Sequence, residues 1–359
     1  MGGTGALGCS LVPLLAKEQN DQIYVTSRRH IQDIDNIHYL QGNAKDKSFI
    51  SSILEREKFD VVVDFMLYSV DEFKERIDIL LGSTSHYLFF SSSRVYAESK
   101  ELVTESSPRL LDTTKDKEYL QDFEYSLYKA TEEDILKSSS YKNWTIIRPY
   151  KTYSDDRLQL SVFEKEQWAD RPLRGKTVVF LKDSLEKFTS LTYTEDAAKI
   201  LKRIIESNET FCKIYQIANP EQITWSDVIE IYKKAYQKKG FSLDVVTTND
   251  YGNIASIFHN KYRMKYDGFL NRRFSDDLIQ KEFGTFEWTS VKSGLTACTV
   301  NYIENRVEQK TTIDYALEGY FDRITGEKEL VNKISGLKNK AKYVLYRYLP
   351  LRLYFKIKR

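Results

Sequence analysis

The sequence predicts an α/β protein: a doubly wound parallel sheet with a smaller C-terminal substrate lobe. Three observations carry that expectation. Runs such as "FDVVVDFML" are apolar at nearly every position, as strands buried on both faces of a parallel sheet are. Amphipathic stretches of helical period alternate with those runs. The chain also opens on "MGGTGALG", closely spaced glycines feeding the apolar helix "LGCSLVPLLAKE", the form of a phosphate-binding turn at a helix N-terminus.

Taken in order, Gly2, Gly5 and Gly8 stand at GxxGxxG spacing, where the backbone turns tightly and approaches a pyrophosphate. "QIYVTSRRH" is the next strand. It ends in Arg28 and Arg29 where an acid would hold the ribose 2′-hydroxyl of NAD; an arginine accommodates the 2′-phosphate of NADP, or else simply lies solvated in the loop. The helix "DKSFISSILEREK", the strand "FDVVVDFML" and the helix "SVDEFKERIDILLGS" follow. "HYLFFSSS" then brings Ser91, Ser92 and Ser93 to the carboxyl end of a strand, where ligands of open α/β sheets bind. The helix "YSLYKATEEDILKSSS" and the strand "NWTIIRPY" come next; "TSLTYTEDAAKILKRIIESN", "IYQIAN" and "TWSDVIEIYKKAYQKKG" continue the rhythm, which loosens from about Phe241. The expected domains are a dinucleotide-binding core over 1–155, its sheet continued by about 177–219, an interleaved lobe over 156–330, and a basic aromatic tail over 331–359.

A glycine turn of this kind normally follows a buried central strand, and nothing precedes it here. Burying about five apolar side chains contributes roughly 8–15 kcal/mol, which rivals the whole net stability of a domain. The expectation is therefore that Met1 is the last residue of that strand, that the true start lies upstream, and that a gap or strained pairing separates "QIYVTS" from "FDVVVDF".

Composition narrows the class. Over 359 residues, hydrophobic side chains make up 41% and charged ones 30%, the profile of a globular chain. A net charge of +2 gives no global field for nucleic acid, so no nucleic-acid partner is expected. Cys9, Cys212 and Cys298 are scattered, and His30, His38, His86 and His259 show no ligand spacing, which argues against a disulfide framework and a metal site. With no signal peptide and no apolar run long enough to span a bilayer, the default is a bacterial-type cytoplasmic enzyme.

Tyr125 and Lys129 stand at i and i+4 on one helical face, and a neighbouring ammonium favours a phenolate able to move a proton near neutral pH. YxxxK also occurs at Tyr96/Lys100 and Tyr354/Lys358, but only Tyr125 opens an amphipathic helix between two buried strands.

"GGTGALG", "YLFFSSSRVY", "YSLYK" and "IIRPY", in this order and spacing, resemble the extended short-chain dehydrogenase/reductases, with their Rossmann-like sheet. The likeness is greatest to the NAD(P)-dependent epimerase/dehydratase group acting on nucleotide sugars, and it runs from Gly2 to roughly Asn305. It implies Tyr125 as catalytic acid/base, Lys129 as its modulator and a ribose ligand, and Ser92 as the hydroxyl bonding the reacting oxygen. It assigns the cofactor to Gly2, Gly5, Ala6, Leu7, Gly8 and Arg28, to the adenine-contact turn Asn43 and Ala44, to Phe65 and Met66, and to Pro149 near the nicotinamide. Asn43 departs from the Asp usual in the family. Related sugar 4,6-dehydratases carry an acidic pair where this chain has Ser93 and Arg94, which puts dehydration in doubt and leaves Ser93 as a substrate contact. Lys151 replaces a common Asn; with Arg157 it meets a substrate phosphate, or Arg157 lies in a solvated basic loop.

From Lys333 the chain is rich in cations interleaved with aromatic and aliphatic residues, and it lacks acids. It is either an interfacial segment giving peripheral contact with the inner face of a membrane or a terminal helix packed on the body, with Pro350 breaking any continuous helix. The resulting expectation is a homodimeric nucleotide-sugar epimerase of surface polysaccharide synthesis, using NADP or NAD with a lean to NADP. A one-way NADPH-dependent ketoreductase and a non-catalytic dinucleotide-binding scaffold are the alternatives.

Overall fold

The computed structural model describes residues 1–258, 261–307 and 313–349; His259, Pro350 and the Tyr354/Lys358 pair lie outside them. The chain forms two compact units: Met1–Thr152 with Ser190–Glu221 and Arg273–Thr289, and Tyr153–Thr189 with Gln222–Arg272 and Ser290–Arg359.

The first unit runs α1 (Gly8–Leu15), β1 (Ile23–Ser27), β2 (Ile37–Gln41), α2 (Lys47–Arg56), β3 (Phe59–Asp64), α3 (Val70–Gly82), β4 (Thr84–Phe90), α4 (Leu110–Thr113), α5 (Lys117–Asp122), α6 (Tyr125–Ser138) and β5 (Trp144–Pro149). The helix Thr194–Ile205 and the strand Ile214–Ile217 complete it. β3, β4, β5 and Ile214–Ile217 make one parallel sheet in that order. Alternation along β4 explains its apolar sequence. Leu88 and Phe90 pack with Ile147, Ile217 and the helix Thr194–Ile205, whereas Tyr87 and Phe89 face Ile77, Leu80 and Leu136 of α3 and α6. Both faces are covered, so every side chain from His86 to Phe90 is buried and only Ser85, near the start of the strand, is exposed. α3 starts at a capping box in which Ser69 accepts from Glu72 N–H and the Glu72 carboxylate accepts from Ser69 N–H, satisfying two helix-end donors.

β1 and β2 form a separate parallel pair, and no ladder joins β1 to β3 among the described residues. A cleft of about 620 Å³ lies between them, lined by Leu11, Leu15, Val25, Ile50, Val61 and Val63 among others. The interruption expected between "QIYVTS" and "FDVVVDF" is thus present. At its carboxyl end, the Met1 nitrogen donates to Val63 O at 2.6 Å and Phe65 N–H donates to Met1 O at 3.1 Å. This pair of bonds is the parallel-strand pattern, with Met1 opposite Asp64. The β1–β2 arm is fastened elsewhere. Asn36 donates to the carbonyls of Ala16, Glu18 and Asp21, and Ser10 bonds Thr194 at 2.9 Å from α1.

In the second unit the strand Val178–Leu181 pairs in parallel with Val245–Thr248; the first unit resumes at Ser190, and the strand that extends the main sheet beyond β5 is Ile214–Ile217. Arg273–Thr289 returns to the first unit. The expected tail starts as the helix Leu337–Tyr348, packed on the helix Tyr315–Thr325. Beneath them lies an ionic cluster. Arg171 meets Glu318 at 2.8 Å, Asp322 at 3.1 Å and Glu327 at 2.8 Å. Lys176 meets Glu318 at 2.9 Å and Asp322 at 2.7 Å, and Arg174 bridges Asp170, Glu318 and Glu329.

Candidate active site

The glycine turn has the geometry a dinucleotide phosphate requires. Gly2 sits at φ +72°, a left-handed value costly for other residues, and a Cβ there would crowd Met66 Sδ at 3.2 Å. At Gly8 a Cβ would strike Gly3 O at 2.2 Å, so only glycine lets the helix cross the turn this closely. The N-cap, Leu7, supplies no side-chain acceptor; Cys9 N–H donates to Gly5 O at 2.9 Å and Ser10 N–H to Leu7 O at 3.2 Å, which leaves the N–H groups of Ala6, Leu7 and Gly8 for an anion. The structure therefore brings Gly2, Gly5, Gly8, Phe65 and Met66 together, with the Phe65 ring 4.3 Å from that of Phe90. Arg28 is exposed at the end of β1; Gly42 N–H donates to Ser27 O at 2.8 Å, and this bond carries exposed Asn43 and buried Ala44 beside that strand end. Pro149 ends β5, half-buried.

Ser92 follows β4 in extended conformation (φ −160°, ψ 144°), and its hydroxyl accepts from Arg94 N–H at 3.2 Å. Tyr125 is the first residue of α6, half-buried, with its ring beneath the Arg94 guanidinium at 4.9 Å. Arg94 in turn bonds Glu124 at 2.7 Å, and Glu124 caps α6 by accepting from Ser126 N–H. The ring is thereby fixed from two sides. Of the other YxxxK tyrosines, Tyr96 is fully buried under Arg148, whose guanidinium stands 4.7 Å over its ring.

Lys129 is buried, with Nζ 4.7 Å over the Phe89 ring of β4 and 2.9 Å from Glu132 Oε2. Neither partner has a well-directed hydrogen bond among the described residues. Burial pushes the Glu132 carboxyl up from 4.5 to about 7, with Lys129 opposing. Its neighbour Glu133 is fully satisfied: Ser91 donates to it at 2.6 Å and Arg148 at 2.8 and 2.5 Å. Burial alone would raise Glu133, but Arg148 and Ser91 hold it below the usual carboxylate range. Asp64, raised by burial, accepts from Tyr87 at 2.8 Å and from Met66 N–H at 2.9 Å.

Ser93 is fully buried and donates to Arg148 O at 2.8 Å. Lys151 lies 5.1 Å over the Tyr150 ring, and Arg157 is in the second unit, 3.4 Å from Glu164. Sequence reasoning missed the Arg94–Glu124 clamp, Glu132, and the Ser91–Glu133–Arg148 network. The signal was present: a helix held between two buried strands must bury one face, and Lys129, Glu132 and Glu133 fall on it.

No protein-family model matches the chain. It is similar to the chloroplast stem-loop binding protein of 41 kDa b from Arabidopsis thaliana, 25% identical over 66% of this chain and 62% of that protein, so the chain spans less than two thirds of the length of that curated relative. Among solved structures, it is similar to dTDP-glucose 4,6-dehydratase from Bacillus anthracis in complex with NAD, with a TM-score of 0.65 and 16% identity over 86% of this chain and 97% of that one. It is also similar to UDP-glucuronic acid 4-epimerase from Bacillus cereus, in complex with UDP-glucuronic acid and NAD, at TM-score 0.64 and 14% identity over 85% and 98%. UDP-glucose 4-epimerase from Thermus thermophilus, in complex with NAD, matches at 0.61 and 17% over 84% and 97%. The chain therefore carries the fold of the extended short-chain dehydrogenase/reductases.

Proposed function

We propose that the chain is a nucleotide-sugar epimerase of surface polysaccharide synthesis that binds a nicotinamide dinucleotide and acts as a homodimer. The observation that carries this reading is the grouping at the carboxyl end of β4. Arg94, whose N–H bonds Ser92, stands over the ring of Tyr125, which lies one helical turn from buried Lys129. The turn from Gly2 to Gly8 fits a pyrophosphate, because it combines a left-handed glycine, a close backbone crossing and an uncapped helix start. The dinucleotide, when bound, supplies the hydride acceptor and donor.

Tyr125 removes the proton from a sugar hydroxyl as the attached carbon is oxidised, and returns it when the keto sugar, turned over, is reduced on its other face. Ser92 holds the reacting oxygen. Lys129, one helical turn along α6, is assigned the modulation of the phenol and the ribose contact. No acid–base pair stands at Ser93 and Arg94, since one is buried on a carbonyl and the other engaged with Glu124; this supports epimerisation over dehydration. The NADP lean rests on Arg28 and Arg29, although the solved relatives named above are NAD complexes. Incubating the protein with UDP-, GDP- and dTDP-sugars, with and without added NAD or NADPH, tests the reading. An inverted sugar without net cofactor consumption supports it, and stoichiometric NADPH oxidation identifies the ketoreductase instead. A second reading, hairpin binding, rests on the name of the Arabidopsis relative, and a mobility shift with RNA hairpins tests it.

A further inference from the structure

The helix Leu337–Tyr348 presents two faces of different character. Its inner face is pinned to the helix Tyr315–Thr325. Tyr343 and Tyr346 are buried, the Tyr343 hydroxyl donates to Asp322 at 2.6 Å, and Arg323 Nε donates to Arg347 O at 3.0 Å. Gly319 permits this approach, since a Cβ there would stand 2.6 Å from Tyr343 O.

The outer face carries Leu337, Ala341, Val344 and Tyr348, at i, i+4, i+7 and i+11, which is one continuous stripe. All four are exposed, Leu337 at 86% and Tyr348 at 54%, and Leu349, just past the helix end, is exposed as well. Lys338 and Lys342 flank it on one side and Lys340 on the other, none of them in an ion pair with a described residue. From residue 330 onward the sequence holds nine Lys and Arg and no Asp or Glu. Single exposed apolar residues are ordinary, but an exposed apolar stripe bordered by cations on both sides is the form of a helix lying in a bilayer interface.

We propose that this outer face docks on an anionic lipid surface, with Leu337, Val344 and Tyr348 entering the acyl boundary and the lysines meeting lipid phosphates. Charge complementarity selects the partner's sign, and the apolar stripe selects a bilayer over a polyanion in solution. Nucleic acid would neutralise the same lysines and leave Leu337 and Val344 in water. The inner face stays on the protein, so docking needs no unfolding. Deleting the helix would expose the Tyr343 contact, so point variants are the proper test.

The full chain is sedimented with phosphatidylcholine vesicles with and without phosphatidylglycerol, and separately titrated with an RNA hairpin. The expected result is binding to the phosphatidylglycerol vesicles only, weakened by salt. Lys338→Glu with Lys342→Glu should reduce it by about tenfold or more, and Leu337→Ser with Val344→Ser should also reduce it. Lys340→Glu alone, with an unchanged melting temperature, serves as the second variant should either pair fail to fold. Equal sedimentation with neutral vesicles, or no loss in any folded variant, overturns the proposal. So does hairpin binding that the lysine variants abolish while vesicle binding is absent. None of these positions belongs to the candidate active site, so the assay is read without turnover.

Discussion

Buried charge is handled in two ways in this molecule. In the second unit, Arg171, Arg174 and Lys176 meet Glu318, Asp322, Glu327 and Glu329, and most members have several partners. Burial alone would raise Glu318, but its three cations bring it to about 2. In the first unit, Glu133 is held in the same manner by Arg148 and Ser91. Glu132, one residue along, pairs with a single cation among the described residues, and burial pushes it up to about 7. A network with every member satisfied fixes a fold, whereas a pair left half-satisfied keeps a group ready for another partner. The half-satisfied pair includes Lys129, beside the clamped tyrosine.

If that contrast is right, function and stability should separate on mutation. Tyr125→Phe is expected to lower turnover by about 10²–10⁴-fold while the melting temperature and dinucleotide affinity hold; near-normal turnover would take Tyr125 out of the mechanism. Asp322→Ala should do the reverse. Leaving Arg171 and Lys176 short of a partner in the interior is expected to cost about 3–5 kcal/mol in denaturant unfolding, without weakening dinucleotide binding. Lys129→Met should weaken both turnover and dinucleotide binding, yet destabilise the protein less than Asp322→Ala near pH 6, because Glu132 then takes up a proton and no unpaired charge remains.

The next expectation concerns pH. Glu132 has a folded pKa raised from 4.5 to about 7, so between those values the folded state binds the extra proton. Stability from this group is therefore full at low pH and is lost as pH rises through the window. Glu132→Gln should flatten that fall by something on the order of 1–3 kcal/mol, measured by urea unfolding at several pH values. An unchanged slope would mean that Glu132 is satisfied by a contact formed only in solution. The smallest effect is expected at Arg28: replacing Arg28 and Arg29 by Ala should narrow any preference for NADPH over NADH by about 1 kcal/mol, and the preference itself should shrink with salt. Equal affinities in the unaltered protein would show both arginines to be merely solvated.

The sequence made the sheet legible because β3, β4 and β5 are short, largely apolar runs between amphipathic helices, the pattern of strands covered on both faces. Tyr125 was legible through its place at the head of a helix, and the turn from Gly2 to Gly8 through its spacing. What stayed hidden depends on distance across the fold. The helical period turns Glu132 and Glu133 to the inner face of α6, but which cation each meets, Lys129 or Arg148, shows only in the packed fold. Arg94 reads as a lost acid, whereas its position over the Tyr125 ring needs Glu124 from another element. Val178–Leu181 is as apolar as a strand of the main sheet, and only its pairing with Val245–Thr248 sets it apart, which the sequence does not show.

The cleft beside β3 has a dynamic consequence. Cooperativity in a sheet passes along its ladders, and none connects β1 to β3 among the described residues. The β1–β2 arm is joined to its unit by the Gly2 N–H bond to Thr26 and through α1, whose Ser10 bonds Thr194 and whose following segment Asn36 holds, not by a continuous row of backbone bonds. Its amides should therefore exchange with solvent through an opening of lower free energy than that releasing β4, so the unit behaves as two foldons. In the proposed binding mode a dinucleotide reaches from Arg28 and Asn43 on that arm to the tyrosine helix, and so ties the two foldons together. Ligand binding and arm closure become one linked equilibrium. The apparent affinity for the dinucleotide would then report how often the arm is closed as well as how well the turn grips phosphate.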